Sequence, residues 1–112
     1  MKIYDSIAAA CKDAGDCLLF EKDLDGTGLR ELCQRTAAVC GGVAAVFSGE
    51  EGQGYGYCLG IKEGDLRALN KEMNQALSGR GGGKPLFQQG RVSAEEPEIR
   101  RFFREKFEKI KE

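Results

Sequence analysis

The stretch Cys17–Phe47, CLLFEKDLDGTGLRELCQRTAAVCGGVAAVF, decides the fold. It begins with a short apolar run, Cys17–Phe20, and ends with the continuous apolar run Val43–Phe47, which is typical of a central strand covered on both faces. Between the two runs, Asp25-Gly26 predicts a turn and helix cap, and Gly41-Gly42 predicts a helix end. Apolar residues recur at helical spacing between these points: Leu29, Leu32, Cys33, Thr36, Ala37 and Cys40. A strand, a helix and a strand in this order predict a parallel pair of strands.

A glycine-spaced strand follows the turn at residues 48–52. Its large residues, Tyr55, Tyr57, Leu59 and Ile61, alternate with Gly54, Gly56, Cys58 and Gly60. The short connection predicts that this strand runs antiparallel to the preceding one. One of its faces is nearly bare, and we interpret that face as the place where a helix packs closely, with a ligand surface as the alternative.

The flanking segments complete the fold with helices. We expect an N-terminal helix in residues 1–15, the end of a longer helix in a parent protein, stopped at Gly15. Asp65 is predicted to cap a further helix that ends at Gly79, with Leu66, Leu69, Met73, Ala76 and Leu77 on its inner face. Residues 85–92 predict a last extended segment, and the capping-box pattern at 93–96 begins a final helix striped by Ile99, Phe102, Phe103, Phe107 and Ile110. The predicted class is α/β (α+β), a small mixed β-sheet flanked by helices, with an N-terminal and a C-terminal helix.

Composition limits the class of protein. The chain has 112 residues, of which 41% are hydrophobic and 31% charged, so we expect one globular domain over residues 16–112 behind the N-terminal helix. No run approaches the ~20 apolar residues of a membrane span, and the first residues lack a secretory pattern, so the prediction is a cytoplasmic protein without a membrane partner.

Cysteine and histidine usage argues against catalysis. The five cysteines contain no Cys-x-x-Cys pair and are interpreted as buried thiols. Histidine is absent, which excludes catalytic triads and His-ligated zinc from this chain. Residues 23–26 hint at a calcium loop, but the other ligand positions of such a loop are not met. The chain by itself is predicted not to be an enzyme, and no cofactor is expected in it.

The stretch Ser78–Pro85, SGRGGGKP, is the strongest functional signal. Residues 79–91 carry three basic and no acidic side chains, in a chain of net charge −1. Glycines let a ligand approach the backbone closely, so the prediction is a glycine loop that contacts an anion, with a flexible linker as the alternative. The registers of the Walker and Rossmann phosphate motifs are not met, because Ser78, Pro85 and Lys84 stand where those motifs need other residues.

Together with Gln89-Gly90, this stretch resembles the signature of the DHH-associated domain, the C-terminal domain of alanyl-tRNA synthetases and of alanyl-tRNA editing proteins. The resemblance covers roughly residues 17–110, including the strands and helix described above, and the tail from Gln89 to Phe103 is closer to the editing branch. Leu86 and Gln88 depart from the residues that the synthetase branch often has there.

The resemblance implies a binding module that engages tRNA, specifically the alanine tRNA, and supports hydrolysis of mischarged alanyl-tRNA by a separate zinc domain. The implied nucleic-acid contacts are Gly79, Arg80, Gly81, Gly82, Gly83, Lys84, Phe87, Gln88, Gln89 and Arg91. The cations would contact phosphates, the glycines would permit close approach, a glutamine would bond a base edge or ribose, and Phe87 would stack on an unpaired base. Core packing is the alternative for Phe87, and a solvated helix face is the interpretation of the arginines at 100, 101 and 104.

Two other functions stay open from the sequence. The same domain type accompanies DHH phosphoesterases, in which it would hold a nucleotide or oligonucleotide. Alternatively, the domain would serve mainly in homodimerisation, through one of its terminal helices.

Overall fold

The structure, a computed structural model, describes residues 2–111, with side chains described for residues 6–106. Its elements in chain order are α1 (Lys2–Ala10), β1 (Gly15–Phe20), α2 (Gly26–Cys40), β2 (Gly41–Glu50), β3 (Gly54–Gly60), α3 (Arg67–Leu77), β4 (Gly79–Lys84), β5 (Phe87–Val92) and α4 (Glu96–Lys111). Phe107 and Ile110, two of the residues predicted to stripe the last helix, lie outside the described side chains.

The five strands form one mixed sheet in the order β1-β2-β3-β5-β4. β1 and β2 are parallel, and every other neighbouring pair is antiparallel. The predicted mixed sheet, the parallel pair across α2 and the antiparallel β3 are therefore confirmed. β1 and β4 are the two edge strands.

Helix α2 covers one face of the sheet. Asp25 accepts a hydrogen bond from the backbone N–H of Gly28 at 2.8 Å, and Gly41 ends the helix in the left-handed conformation at φ 85°. The predicted inner face of the helix is buried in full, and it packs on Ala44, Val46 and Cys58 of the sheet. The bare face of β3 is what lets α2 approach, since a Cβ at Gly60 would lie 2.9 Å from the Cys33 Sγ.

Helices α3 and α4 cover the opposite face. Met73, Leu77, Ile99 and Phe103 pack there on the large side chains of β3 and on Phe47, which is fully buried. α3 begins at Arg67, and its N-cap residue is Leu66, which has no side-chain cap, so the predicted cap at Asp65 is one residue early. Asp65 instead accepts a hydrogen bond from the Arg67 N–H at 3.0 Å. The helix ends at Leu77, where Ser78 takes the left-handed conformation, so its predicted end at Gly79 is two residues late.

The N-terminal helix is shorter than predicted. α1 ends at Ala10 and contacts α2, and residues 11–13 form a turn instead of continuing the helix to Gly15. In that turn the Asp13 N–H donates to the Val39 carbonyl at 2.8 Å, and Asp13 has a positive φ of 57°. The glycine at 15 therefore begins β1.

Candidate functional site

The glycine stretch forms a β-strand, and the loop predicted for it is wrong. Residues 79–84 are β4, which pairs antiparallel with β5 from Gly79↔Val92 to Lys84↔Phe87. Pro85 and Leu86 connect the two strands as a two-residue turn. Pairing with β5 compensates for the low intrinsic strand propensity of glycine.

The strand register sorts the predicted contact residues by face. Residues directly opposite each other on antiparallel strands point to the same side of a sheet. Arg91 lies opposite both Gly56 and Arg80, and Phe87 lies opposite both Gly60 and Lys84. Because Gly56 and Gly60 belong to the bare face under α2, these three cations and Phe87 share that side of the sheet.

A fourth cation, Arg30, joins them from the second turn of α2. Its Nη2 donates to the Gln89 Oε1 at 3.5 Å, and its guanidinium carbon lies 5.7 Å from the ring centre of Phe87. The Gln89 Nε2 in turn donates to the Gly26 carbonyl at 2.9 Å, so Gln89 ties the start of α2 to β5. Arg30 was not among the predicted contact residues, because 59 residues separate it from Gln89 in the chain.

We call this surface the cationic face, defined by Arg30, Arg80, Lys84 and Arg91 around Gly82. All four side chains are exposed, and among the described residues none of them forms a salt bridge with a carboxylate. Arg91 is held in place by donating from Nη2 to the Gln53 carbonyl at 3.0 Å. The cationic face therefore carries uncompensated positive charge in a chain whose net charge is −1.

Gln88 lies outside this surface, and its predicted contact with nucleic acid is corrected. It faces the α3 side of the sheet with 2% of its surface exposed, and its Nε2 donates to the Lys84 carbonyl at 2.6 Å. A buried amide must be hydrogen-bonded, and this bond closes the end of the hairpin. Gln88 is therefore a structural residue.

The glycines of β4 fall into two kinds. Gly79, Gly81 and Gly83 face the α3 side, where an added Cβ would meet side chains or backbone; at Gly79 it would lie 2.6 Å from the Asn74 Oδ1. At Gly81 it would collide with the Tyr57 hydroxyl and the Gln89 carbonyl. Gly82 faces the cationic face, and nothing lies within 4 Å of its added Cβ. Packing therefore explains the other three glycines but gives no reason for the one at 82.

A buried polar chain supports β4 from behind. The Tyr57 hydroxyl donates to the Asn70 Oδ1 at 2.7 Å, and the Asn70 Nδ2 donates to the Gly81 carbonyl at 3.3 Å. Burial raises the pKa of Tyr57, and the amides of Asn74 and Asn70 oppose that rise. Asn70 was not among the predicted inner residues of α3, since a polar side chain does not contribute to a hydrophobic periodicity.

The described residues contain no group of three or more cysteine, aspartate or glutamate side chains placed to hold a metal ion. Their helices are too short or too polar to cross a membrane.

The fold has a counterpart among solved structures. The crystal structure of the C-Ala domain from Aquifex aeolicus alanyl-tRNA synthetase matches it with a TM-score of 0.63, over 79% of this chain and 87% of that domain, at 19% sequence identity. The chain therefore has a C-Ala-like fold, as the resemblance implied. No protein-family model and no curated protein matches the sequence.

Proposed function

We propose that this chain is a tRNA-binding accessory domain that contacts RNA through the cationic face. The observation that carries the proposal is the placement of four exposed cations without carboxylate partners around the unobstructed backbone of Gly82. Cationic side chains hold phosphates in proteins, and a glycine lets a phosphate approach the backbone closely. The shared fold with a domain of an alanyl-tRNA synthetase supports tRNA as the RNA concerned.

In this proposal the domain has no catalytic role of its own. It presents alanine tRNA to a zinc-dependent domain elsewhere in a cytoplasmic parent protein, which hydrolyses mischarged alanyl-tRNA. The support for this step is the Gly-rich and Gln89-Gly90 signature in the sequence, and the domain's part is to raise the affinity for the tRNA body.

The test is a filter-binding titration of alanine tRNA at several salt concentrations. We expect the double substitution Arg80→Ala and Lys84→Ala to weaken binding about tenfold, which corresponds to about 1.4 kcal/mol for two exposed phosphate contacts. The slope of log K against log salt should become shallower by about 0.7 to 0.9 for each lost contact.

The chain offers a matched control on the other side of the sheet. Arg101 and Arg104 are exposed on α4, and the substitutions Arg101→Ala and Arg104→Ala change the net charge by the same amount. We expect this control to keep the affinity and the salt slope of the unmodified chain. Equal losses in both double variants would show that net charge alone drives binding and would contradict an RNA site on the cationic face.

The same titration separates the phosphoesterase-type alternative. A domain that presents short substrates would bind oligonucleotides at least as tightly as folded tRNA. Our proposal instead predicts a clear preference for the folded tRNA, and for alanine tRNA over a tRNA of another specificity.

A further inference from the structure

A shallow notch adjoins the cationic face at the tip of the β4–β5 hairpin. It has a volume of about 280 Å³ and lies between α2 and the segment that follows β3. The lining residues that matter here are Gln34, Ala38, Ile61, Lys62, Leu86 and Phe87. Since Phe87 lies directly opposite Lys84, the notch and the cationic face share a border.

The walls of the notch are apolar and held in place. Leu86 has 46% of its surface exposed and is the one large hydrophobic residue exposed to that extent in the described part of the chain. The turn that carries it is anchored, because the Ile61 N–H donates to the Leu86 carbonyl at 3.1 Å and the Leu66 N–H to the Pro85 carbonyl at 2.7 Å. Leu86 lines the notch together with Phe87 and Ile61, so its exposed side chain is part of a continuous apolar surface, and such surfaces mark contact sites more often than single apolar residues do.

The rim of the notch carries free polar groups. The side chains of Gln34 and Lys62 are exposed, and among the described residues neither side chain has a hydrogen-bond or salt-bridge partner. An amide offers both donors and an acceptor, which is the combination that reads the edge of a nucleobase. Lys62 also lines the notch and adds a positive charge to its rim.

We propose that the notch binds a single unstacked base of the RNA. This inference rests on the function proposed above and names the part of the RNA that is recognised. The base packs on Leu86 and Phe87, Gln34 bonds to its edge, and the phosphates on either side lie at Lys84 and Lys62.

A nucleobase fits this surface better than an apolar side chain of a protein partner. Its faces are apolar, its edge is polar, and its own backbone brings phosphates to the two lysines that flank the notch. Bases of a regular duplex are stacked, so the ligand is a nucleotide in a loop or at a single-stranded end.

The test is a substitution that fills the notch without changing the charge of the protein. Ala38 is exposed on α2, so Ala38→Phe blocks the notch while leaving the core intact. We expect tRNA affinity to fall between about 5-fold and 150-fold, the range of about 1–3 kcal/mol for a lost base stack, with the salt slope unchanged. Affinity for a fully paired RNA duplex should stay the same.

Two further variants test base binding in the notch, one as a control and one by removing the polar group at its rim. Ala68→Phe, at an exposed position of α3, is the matched control and should bind tRNA normally. Gln34→Ala, which removes only an exposed amide, should lower tRNA affinity and reduce any preference among single-stranded homopolymers of A, C and U. Unchanged tRNA binding by both Ala38→Phe and Gln34→Ala would contradict base binding in the notch. An equal loss of affinity for tRNA and for the duplex would contradict it as well.

The results also separate this inference from the proposed function. If the Arg80 and Lys84 substitutions weaken tRNA binding while Ala38→Phe does not, RNA binding by the cationic face is supported and base binding by the notch is contradicted. If the double substitution has no effect on tRNA binding, the proposed function fails first.

Discussion

At the scale of single residues, neighbouring glycines of β4 have different physical reasons to be glycine. The approach of β3 and β5 requires glycine at 81, since an added Cβ would meet the Tyr57 hydroxyl and the Gln89 carbonyl. Gly82 has open space on its side and does not have a positive φ. A glycine that neither packing nor backbone conformation requires is the kind that close approach of a ligand explains.

We therefore predict opposite outcomes at these two positions. Gly82→Val should leave the free energy of unfolding unchanged or raise it by up to about 1 kcal/mol, because valine suits an exposed strand and restricts the unfolded chain. The same change should weaken tRNA binding, since the side chain holds the phosphate away from the backbone.

Gly81→Ala should lower the free energy of unfolding by about 1–3 kcal/mol through overpacking. Urea denaturation and filter binding measure both; full tRNA affinity in Gly82→Val would contradict close approach at this residue.

At the scale of elements, α2 is the helix that positions the functional surface. Its first turns carry Gly26 and Arg30, both bonded to Gln89 of β5, and its middle rests on the bare glycines of β3. The start of α2 is fixed by the Asp25 carboxylate, which accepts the Gly28 N–H. The cap therefore acts on both the stability of the helix and the placement of Arg30.

We predict that Asp25→Ala lowers the free energy of unfolding by about 1 kcal/mol, the usual loss for an N-cap aspartate. Asp25→Ser should recover most of that loss, because a serine hydroxyl also accepts the capping N–H. Urea denaturation followed by circular dichroism measures the difference. Equal destabilisation by alanine and serine would show that the carboxylate has a role other than capping.

Much at this scale could be predicted from the sequence, and the reasons for the rest are physical. α2, β2 and β3 were predicted because their signals are local, namely an apolar run, a helical period and an alternation of large residues with glycine. The strand at 79–84 was predicted as a loop, because its glycines show no alternation of large and small side chains. Pairing with β5 and the hydrogen bond from Asn70 hold this segment as a strand. The grouping of Arg30 with Gln89 depends on the sheet order, which no local pattern reveals.

At the scale of the whole molecule, the five cysteines lie in the turn after α1, in β1, in α2 and in β3, on one side of the sheet, and all are free and buried. Burial, and after it the neighbouring thiols of Cys11 and Cys40, together raise the pKa of the Cys17 thiol to about 12. The pKa of Cys33 is also raised, first by its hydrogen bond with the Cys58 thiol and then by burial. The thiols of Cys17 and Cys33 therefore stay protonated in the folded protein at neutral pH.

We predict that Ellman's reagent reacts slowly with the native protein at about pH 8, where an ordinary thiol is substantially ionised. After denaturation in urea, all five thiols should react at the rate of a free cysteine. The rise in absorbance with time after mixing gives the rate of thiol reaction in the native and in the denatured protein. A thiol that reacts at the free rate in the native protein would contradict the burial of that cysteine.

The position of β4 at the rim of the sheet has a consequence for solubility. An edge strand presents unpaired backbone groups that another chain can extend by strand pairing, and glycine offers no side chains to prevent it. Arg80 and Lys84 are the two charged side chains on that strand, and two copies aligned edge to edge would bring like charges together. The same cations that we propose for RNA binding thus keep copies of the domain apart, and replacing both with alanine removes a barrier to aggregation as well as a ligand contact.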